Sequence, residues 1–129
     1  MVMNINDFNH QKQTQIQITE QLESISIEIS EELFAYEQEL EQHYIDHIQK
    51  FIQQSHIWLN VVKEKIFLEM GKNHVQLMCI YVLSEQNEPD PIFGALFDVE
   101  FDREHGRGAK INGNTLEIIE YGSADVAIS

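Results

Sequence analysis

Residues 93–101 have the sequence FGALFDVEF, which places an apolar side chain at every second position. The apolar positions are Phe93, Ala95, Phe97, Val99 and Phe101. A period of two with acidic residues on the opposite face is typical of a half-buried strand. This stretch therefore predicts a strand in an antiparallel sheet, with its apolar face against a packed core.

The segments on either side extend the predicted sheet. Residues 74–83, HVQLMCIYVL, are apolar on both faces, which favours a central strand. The acidic segment 84–91, SEQNEPDP, contains two prolines and predicts a loop. Downstream, Asn112-Gly113-Asn114 separates two apolar stretches, and Asn-Gly favours a tight hairpin turn. The C-terminal half is therefore expected to form a mainly antiparallel sheet.

The N-terminal half begins with strand patterns and then changes period. Ile25, Ile27 and Ile29 alternate with polar residues and predict a strand. From Ser30, a capping residue type, apolar residues recur every three or four positions, which predicts one long helix to about Gln54. A second, shorter helix is expected from Ser55 to a stop at Gly71, although its β-branched residues leave a strand as an alternative.

These elements define the expected architecture. The length of 129 residues fits a single domain, 1–129, of the α+β class. The N-terminal strand or strands, the long helix and the shorter helix would pack on the C-terminal sheet. Residues 11–21 are glutamine-rich and are compatible with a short strand, a helical turn or a loose arm, and the whole segment 1–21 is compatible with a loose N-terminal arm.

Charge is the most unusual global property. Eight Lys and Arg face 22 Asp and Glu, which gives a formal net charge of −14. Such a chain repels nucleic acid and anionic membranes and attracts basic proteins. Acidity also confers solubility on its own, so both interpretations stay open. The single cysteine, Cys79, excludes an internal disulfide and indicates a buried thiol in a soluble cytoplasmic protein.

The densest cluster of chemically active side chains is 101–111, FDREHGRGAKI. Asp102, Glu104 and His105 can bind metals, but no second ligand cluster at diagnostic spacing accompanies them. His43 and His47 are four residues apart on the predicted helix, which is a second candidate metal pair. The glycines around Arg107 do not match a phosphate loop, because no helix is predicted after them and three acids precede them.

The alternatives for this cluster are acid–base catalysis and a structural turn. Catalysis by Glu104 with His105 requires a pocket that the sequence does not reveal. Gly106 and Gly108, placed between two predicted strands, favour a bulged or positive-φ connection. In that case His105 would fix the turn by hydrogen bonding to Asp102 or Glu104. We expect a shaped turn and no bound metal or cofactor.

The last forty or so residues resemble a family of small acidic bacterial proteins. The shared pattern is an alternating strand, then Asp-x-Glu-His-Gly-x-Gly, a hairpin, and a final glycine followed by Ala-Asp or a similar pair. The matching positions are Asp102, Glu104, His105, Gly106, Gly108, Gly122, Ala124 and Asp125. Residues 74–83 fit more loosely, and the helical half matches no motif. Members mostly lack an assigned function, many are similar to immunity proteins encoded beside bacterial toxins, and no catalytic role is attached to the Glu-His-Gly motif in that family.

The resemblance and the charge together predict an immunity protein that binds and blocks a cognate, basic toxin. Seven acidic residues are candidate toxin contacts: Glu37, Glu39, Glu41 and Asp46 on the predicted helix, and Glu85, Glu88 and Asp90 in the loop. The alternative is a small hydrolase or metal-dependent enzyme that uses Glu104 with His105, or His43 with His47. A homo-oligomeric structural module is a third possibility, because the sequence leaves the oligomeric state open.

Overall fold

The computed structural model describes residues 3–71, 74–100, 102 and 105–128. Six strands form one sheet in the order β1-β2-β3-β4-β5-β6. They are β1 Gln13–Ile16, β2 Ile25–Ile29, β3 Val75–Val82, β4 Ile92–Val99, β5 Arg107–Asn112 and β6 Ile118–Gly122. The helices are α1 Gln42–Gln53 and α2 Ser55–Met70, with short 3-10 helices at Ile5–Asp7, Phe34–Tyr36 and Ala124–Ala127. The predicted α+β class is confirmed.

The sheet is antiparallel except where β2 lies beside β3. These two strands run parallel, with Ile27 opposite Ile80. A parallel pair requires a long crossover, and α1 with α2 provides it between the end of β2 and the start of β3. The N-terminal strands therefore belong to the same sheet as the C-terminal strands. β3 has a neighbour on each side, as its two apolar faces predicted.

The core lies between the helices and one face of the sheet. Phe93, Ala95, Phe97 and Val99 of β4 are all at most 1% exposed, as their alternation predicted, while Phe101 lies outside the described residues. The isoleucines of β2 and the apolar stripe of α1 join them in one cluster. The opposite face of the sheet carries the third 3-10 helix, whose Ala127 is fully buried.

The predicted long helix from Ser30 is wrong in about its first half. The segment 30–41 contains only the 3-10 helix Phe34–Tyr36, and α1 begins at Gln42, so α1 is shorter than α2. Both oxygens of Glu85 accept backbone N–H groups here, from Phe34 and Ala35 at 2.9 Å each. Gln86 accepts the N–H of Glu41 at 2.8 Å. These side chains replace helical hydrogen bonds with tertiary ones, which the local sequence pattern cannot reveal.

The structure also decides two alternatives left open by the sequence and refines the prediction of a hairpin. Residues 55–70 form a helix, and Gly71 ends it in the left-handed region with φ 73°. In the N-terminal segment, Gln13–Ile16 form a short strand, and Met3, Phe8 and Ile18 are buried, so residues 3–21 are not a loose arm. The predicted β5–β6 hairpin is confirmed, but its connection is longer than a two-residue turn and spans residues 113–117. Within this connection the N–H of Gly113 donates to Pro91 O at 2.7 Å.

Candidate functional site

The described residues of the cluster, Asp102 and 105–108, belong to a hydrogen-bonded turn between β4 and β5. The N–H of Gly106 donates to Asp102 O at 2.9 Å, and Gly106 has φ 62°, which favours glycine. His105 Nδ1 lies 2.9 Å from Asp102 Oδ1. This hydrogen bond is the main cause of the lowered pKa of Asp102, and Arg107 contributes to it. Glu104, the other predicted partner of His105, lies outside the described residues.

Arg107 ties this turn to α2. Its Nη1 donates to Asp102 Oδ2 at 3.2 Å, and its Nε donates to Glu69 Oε1 at 2.9 Å. The hydroxyl of Tyr121, on β6, donates to the same Glu69 oxygen at 3.1 Å. Asp102 is therefore hydrogen-bonded to both His105 and Arg107, an arrangement that serves the local fold.

The glycines of this region let the C-terminal segment approach the sheet. A Cβ on Gly108 would lie 2.8 Å from both Ala127 N and Ser123 O. The N–H of Ala124 donates to His105 O at 3.1 Å. Gly106, Gly108 and Ala124, which belong to the pattern seen in the sequence, thus meet in one structural unit. The unit consists of the turn and the third 3-10 helix docked on the face opposite α1 and α2.

The two other chemical candidates in the sequence are a histidine pair and a cysteine. The rings of His43 and His47 lie edge to face with centroids 6.1 Å apart, and His43 Nε2 is 2.9 Å from Gln86 O. Within the described ranges, no group of three His, Cys, Asp or Glu side chains could hold a metal ion. Cys79 is buried beside Glu28, and burial raises its pKa to about 12, so it is protonated at neutral pH.

Three of the seven predicted acidic contacts, Glu39, Glu41 and Glu85, line a surface groove of about 570 Å³, which we call the acidic groove. It lies between the segment 34–41 and the β3–β4 loop. Its lining residues are Phe34, Gln38, Glu39, Leu40, Glu41, Glu85, Gln86 and Asn87. Three of them are acidic, and no Lys or Arg is among the described residues that line it. Because the charged residues that line the groove are all acidic, a negative potential is concentrated in this concavity.

The β3–β4 loop holds the walls of the groove in place. Besides the bonds from Glu85 and Gln86 to the backbone of 34–41, Gln86 Nε2 donates to Glu39 O at 3.2 Å. The buried hydroxyl of Tyr44, on α1, donates to Ser84 O at 2.7 Å. Burial is the main cause of the raised pKa of Tyr44, so this donor keeps its proton. The groove is therefore a preformed feature, fixed from the core side.

The structure separates the seven predicted contact residues into three groups. Glu39, Glu41 and Glu85 line the groove, although Glu85 is engaged by two backbone N–H groups. Glu37 is exposed in the same segment, and Asp46 is exposed on α1. Glu88 accepts the backbone N–H of Glu85 within the β3–β4 loop. Asp90 accepts a hydrogen bond from the side-chain amide of Asn114, in the β5–β6 connection.

Phe34 is the groove residue that sequence reasoning missed. Its side chain is 76% exposed although it lines the groove. A large aromatic residue exposed beside carboxylates is typical of an interface anchor. The sequence did contain a sign that Phe34 is exposed, because Phe34 falls outside the apolar stripe of Leu33, Tyr36 and Leu40 that predicted the helix.

We expect Glu85→Gln to lower the free energy of unfolding by about 1.5 kcal/mol, because an amide accepts only one of the two N–H bonds and turns its own NH₂ toward the other donor. Chemical denaturation measures this change. Glu37→Gln removes the same charge from an exposed position in the adjoining segment and should change stability by less than about 0.5 kcal/mol. Equal effects of the two variants would contradict the anchoring role of Glu85.

Comparison of the chain with protein-family models, with curated proteins and with solved structures gave no match. The resemblance of the C-terminal segment to small acidic bacterial proteins therefore stays a prediction. No helix in the described part of the chain is long and apolar enough to cross a membrane. The groove and its charges are the features on which a function can be argued.

Proposed function

We propose that this protein is an immunity protein that binds and blocks a basic toxin in the cytoplasm, and that the acidic groove forms the centre of the contact. The observation that carries the proposal is the combination of Glu39 and Glu41 with the exposed ring of Phe34 in one preformed concavity. The net charge of −14 and the C-terminal resemblance support the same function.

The proposed mechanism is occlusion in two stages. The negative field of the groove steers a basic surface toward it, which raises the rate of association. Phe34 then packs into an apolar pocket of the partner and slows dissociation. Because the β3–β4 loop already fixes the walls, little conformational entropy is lost on binding. No catalytic group on this chain takes part.

The experiment measures binding of the purified protein to the product of the toxin gene beside its own gene, together with protection of cells that express this toxin. Glu39→Lys with Glu41→Lys should lower the association rate at least about tenfold at low salt. Added salt should reduce the difference in association rate between this variant and the wild-type protein, because salt screens exposed charges. Phe34→Ala should mainly raise the dissociation rate.

Glu23→Lys with Glu117→Lys is the matched control, since it changes the net charge equally at two exposed positions outside the groove. This control should retain most of the wild-type association rate. Failure of the wild-type protein to bind or protect would refute the proposed function. If both double variants weaken binding equally, the contact lies outside the groove, and the proposed function itself is not contradicted.

A further inference from the structure

His43, on α1, contacts both sides of the acidic groove. Its Nε2 lies 2.9 Å from the backbone carbonyl oxygen of Gln86, in the β3–β4 loop. Its Nδ1 lies 3.8 Å from Glu41 Oε2, at the end of the segment 34–41. Glu41 and Gln86 both line the groove. A change of charge on the His43 ring therefore acts directly on the charges of the groove.

The contacts of His43 determine which of its ring nitrogens gains a proton. A carbonyl oxygen only accepts hydrogen bonds, so in the neutral ring Nε2 carries the hydrogen and donates it to Gln86 O. The second proton can then bind only to Nδ1, the nitrogen that lies near Glu41. The positive charge of the protonated ring thus develops beside a carboxylate of the groove, and the bond to Gln86 is kept.

The charged groups on the elements around His43 are mostly acidic. Two oxygens of Glu85 are already engaged by backbone N–H groups, and the ring of His47 lies edge to face with that of His43. Among the described residues of these elements the one Lys or Arg is Lys50, about two helical turns beyond His43. The charged or histidine side chains are Glu37, Glu39 and Glu41 of the segment 34–41, Glu85, Glu88 and Asp90 of the loop, and Asp46, His47 and Lys50 of α1.

We infer that protonation of His43 weakens the binding of a basic partner in the acidic groove, so that the complex dissociates more readily as the pH falls. This inference rests on the proposed function of the groove. With a neutral ring, the carboxylate of Glu41 is available to the partner. A proton on Nδ1 attracts this carboxylate and repels a cationic side chain in the groove. Both effects lower the affinity.

The direction of the pH dependence follows from linkage. Partner cations and the proton on Nδ1 oppose each other, so the complex binds fewer protons than the free protein. The affinity is therefore fully present above the range in which histidine side chains titrate, about pH 5 to 8, and is lost as the pH falls through this range.

Hexalysine is the probe, because its ammonium groups stay charged throughout this range. Its binding to the isotope-labelled full chain is followed by NMR, through the backbone amide shifts of Glu39 and Glu41, at about pH 7.5 and about pH 5.5. Acidification should raise the dissociation constant of the wild-type protein about fivefold more than that of His43→Gln. The glutamine amide can still donate to Gln86 O, but it gains no charge.

Two further variants make the comparison specific to His43. His56→Gln is the matched control, because His56 is exposed on α2 and no residue of α2 lines the groove. It should keep the full pH dependence of the wild-type protein. His43→Lys carries a permanent charge and should bind hexalysine at about pH 7.5 as weakly as the wild-type protein does at about pH 5.5. Circular dichroism establishes that each variant is folded.

The inference is wrong if the wild-type protein and His43→Gln show the same pH dependence, or if hexalysine does not bind at Glu39 and Glu41. The same measurements with the toxin separate this inference from the proposed function. A toxin that binds with a pH dependence unaffected by His43→Gln would contradict the role of His43 alone. A toxin that binds at neither pH would contradict the proposed function, and the hexalysine result then decides the effect of His43 by itself.

Discussion

Phe51→Ala should lower the free energy of unfolding by about 4 kcal/mol. Phe51 is fully buried, and its ring is stacked between two others, 4.5 Å from Trp58 and 4.1 Å from Phe93 measured between centroids. Its truncation removes the ring that joins α1 to α2 and to β4, and it leaves a cavity that these elements cannot close. Because a domain of this size is stable by about 5–15 kcal/mol, the loss is a large share of the total.

Chemical denaturation followed by circular dichroism measures the effect, and the fluorescence of the single tryptophan, Trp58, reports the environment of the stack. Phe51→Leu fills most of the space and should cost about 1.5 kcal/mol. Phe67→Ala removes the same side chain from a half-exposed site on α2 and should cost less than about 1 kcal/mol. A loss below about 1 kcal/mol for Phe51→Ala would mean that the stack does not hold the helices on the sheet.

Gly94→Ala should lower the free energy of unfolding by about 3 kcal/mol. A Cβ at Gly94 would lie 1.8 Å from the carbonyl oxygen of Ala127 and 2.6 Å from its carbonyl carbon. Both are backbone atoms, so the contact is relieved only if the third 3-10 helix lifts from the sheet. Alanine is otherwise slightly preferred to glycine in a strand interior, so the whole cost comes from this contact.

Two comparisons test whether the close approach of Ala127 causes the loss of stability in Gly94→Ala. Gly122→Ala is the matched control, because its Cβ would meet only the Cγ2 methyl of Val126, at 3.1 Å, which can move. It should change stability by less than about 1 kcal/mol. In a chain that ends at Gly122 the obstruction is gone, so Gly94→Ala should there cost close to nothing. An equal cost with and without the C-terminal segment would show that the backbone approach is not the reason for the glycine.

These contacts give the C-terminal motif a structural meaning. The stretch 101–111 combines acids, bases and glycines in the way that catalytic or metal sites often do. In the structure Asp102, His105 and Arg107 bond to one another, and Gly106 provides the positive φ of the turn. Gly108 has a different role, since it lies within β5 and admits the backbone of the C-terminal segment.

The start of α1 shows where sequence patterns stop being sufficient. Leu33, Tyr36 and Leu40 continue the apolar stripe of α1 backward, and Ser30 resembles a cap, yet the chain between them is not an α-helix. Glu85 is far away in the sequence and takes the backbone N–H groups that a helix would have used. Long-range hydrogen bonds from Glu85 and Gln86 hold one wall of the acidic groove, so the shape of the groove could not be predicted locally, although its acidic residues could be named.

The sequence by itself determined the α+β class, the faces of β2 and β4 that are buried, and the central position of β3. Each of these follows from the spacing of apolar side chains, which is a property of a short segment. Only the tertiary structure decided where α1 begins, how the C-terminal segment docks over Gly94 and Gly108, and that Phe34 stands exposed beside Glu39 and Glu41. These features depend on hydrogen bonds and close approaches between segments far apart in the chain. Such contacts do not produce a periodic pattern of residues in either segment, so they cannot be predicted from it.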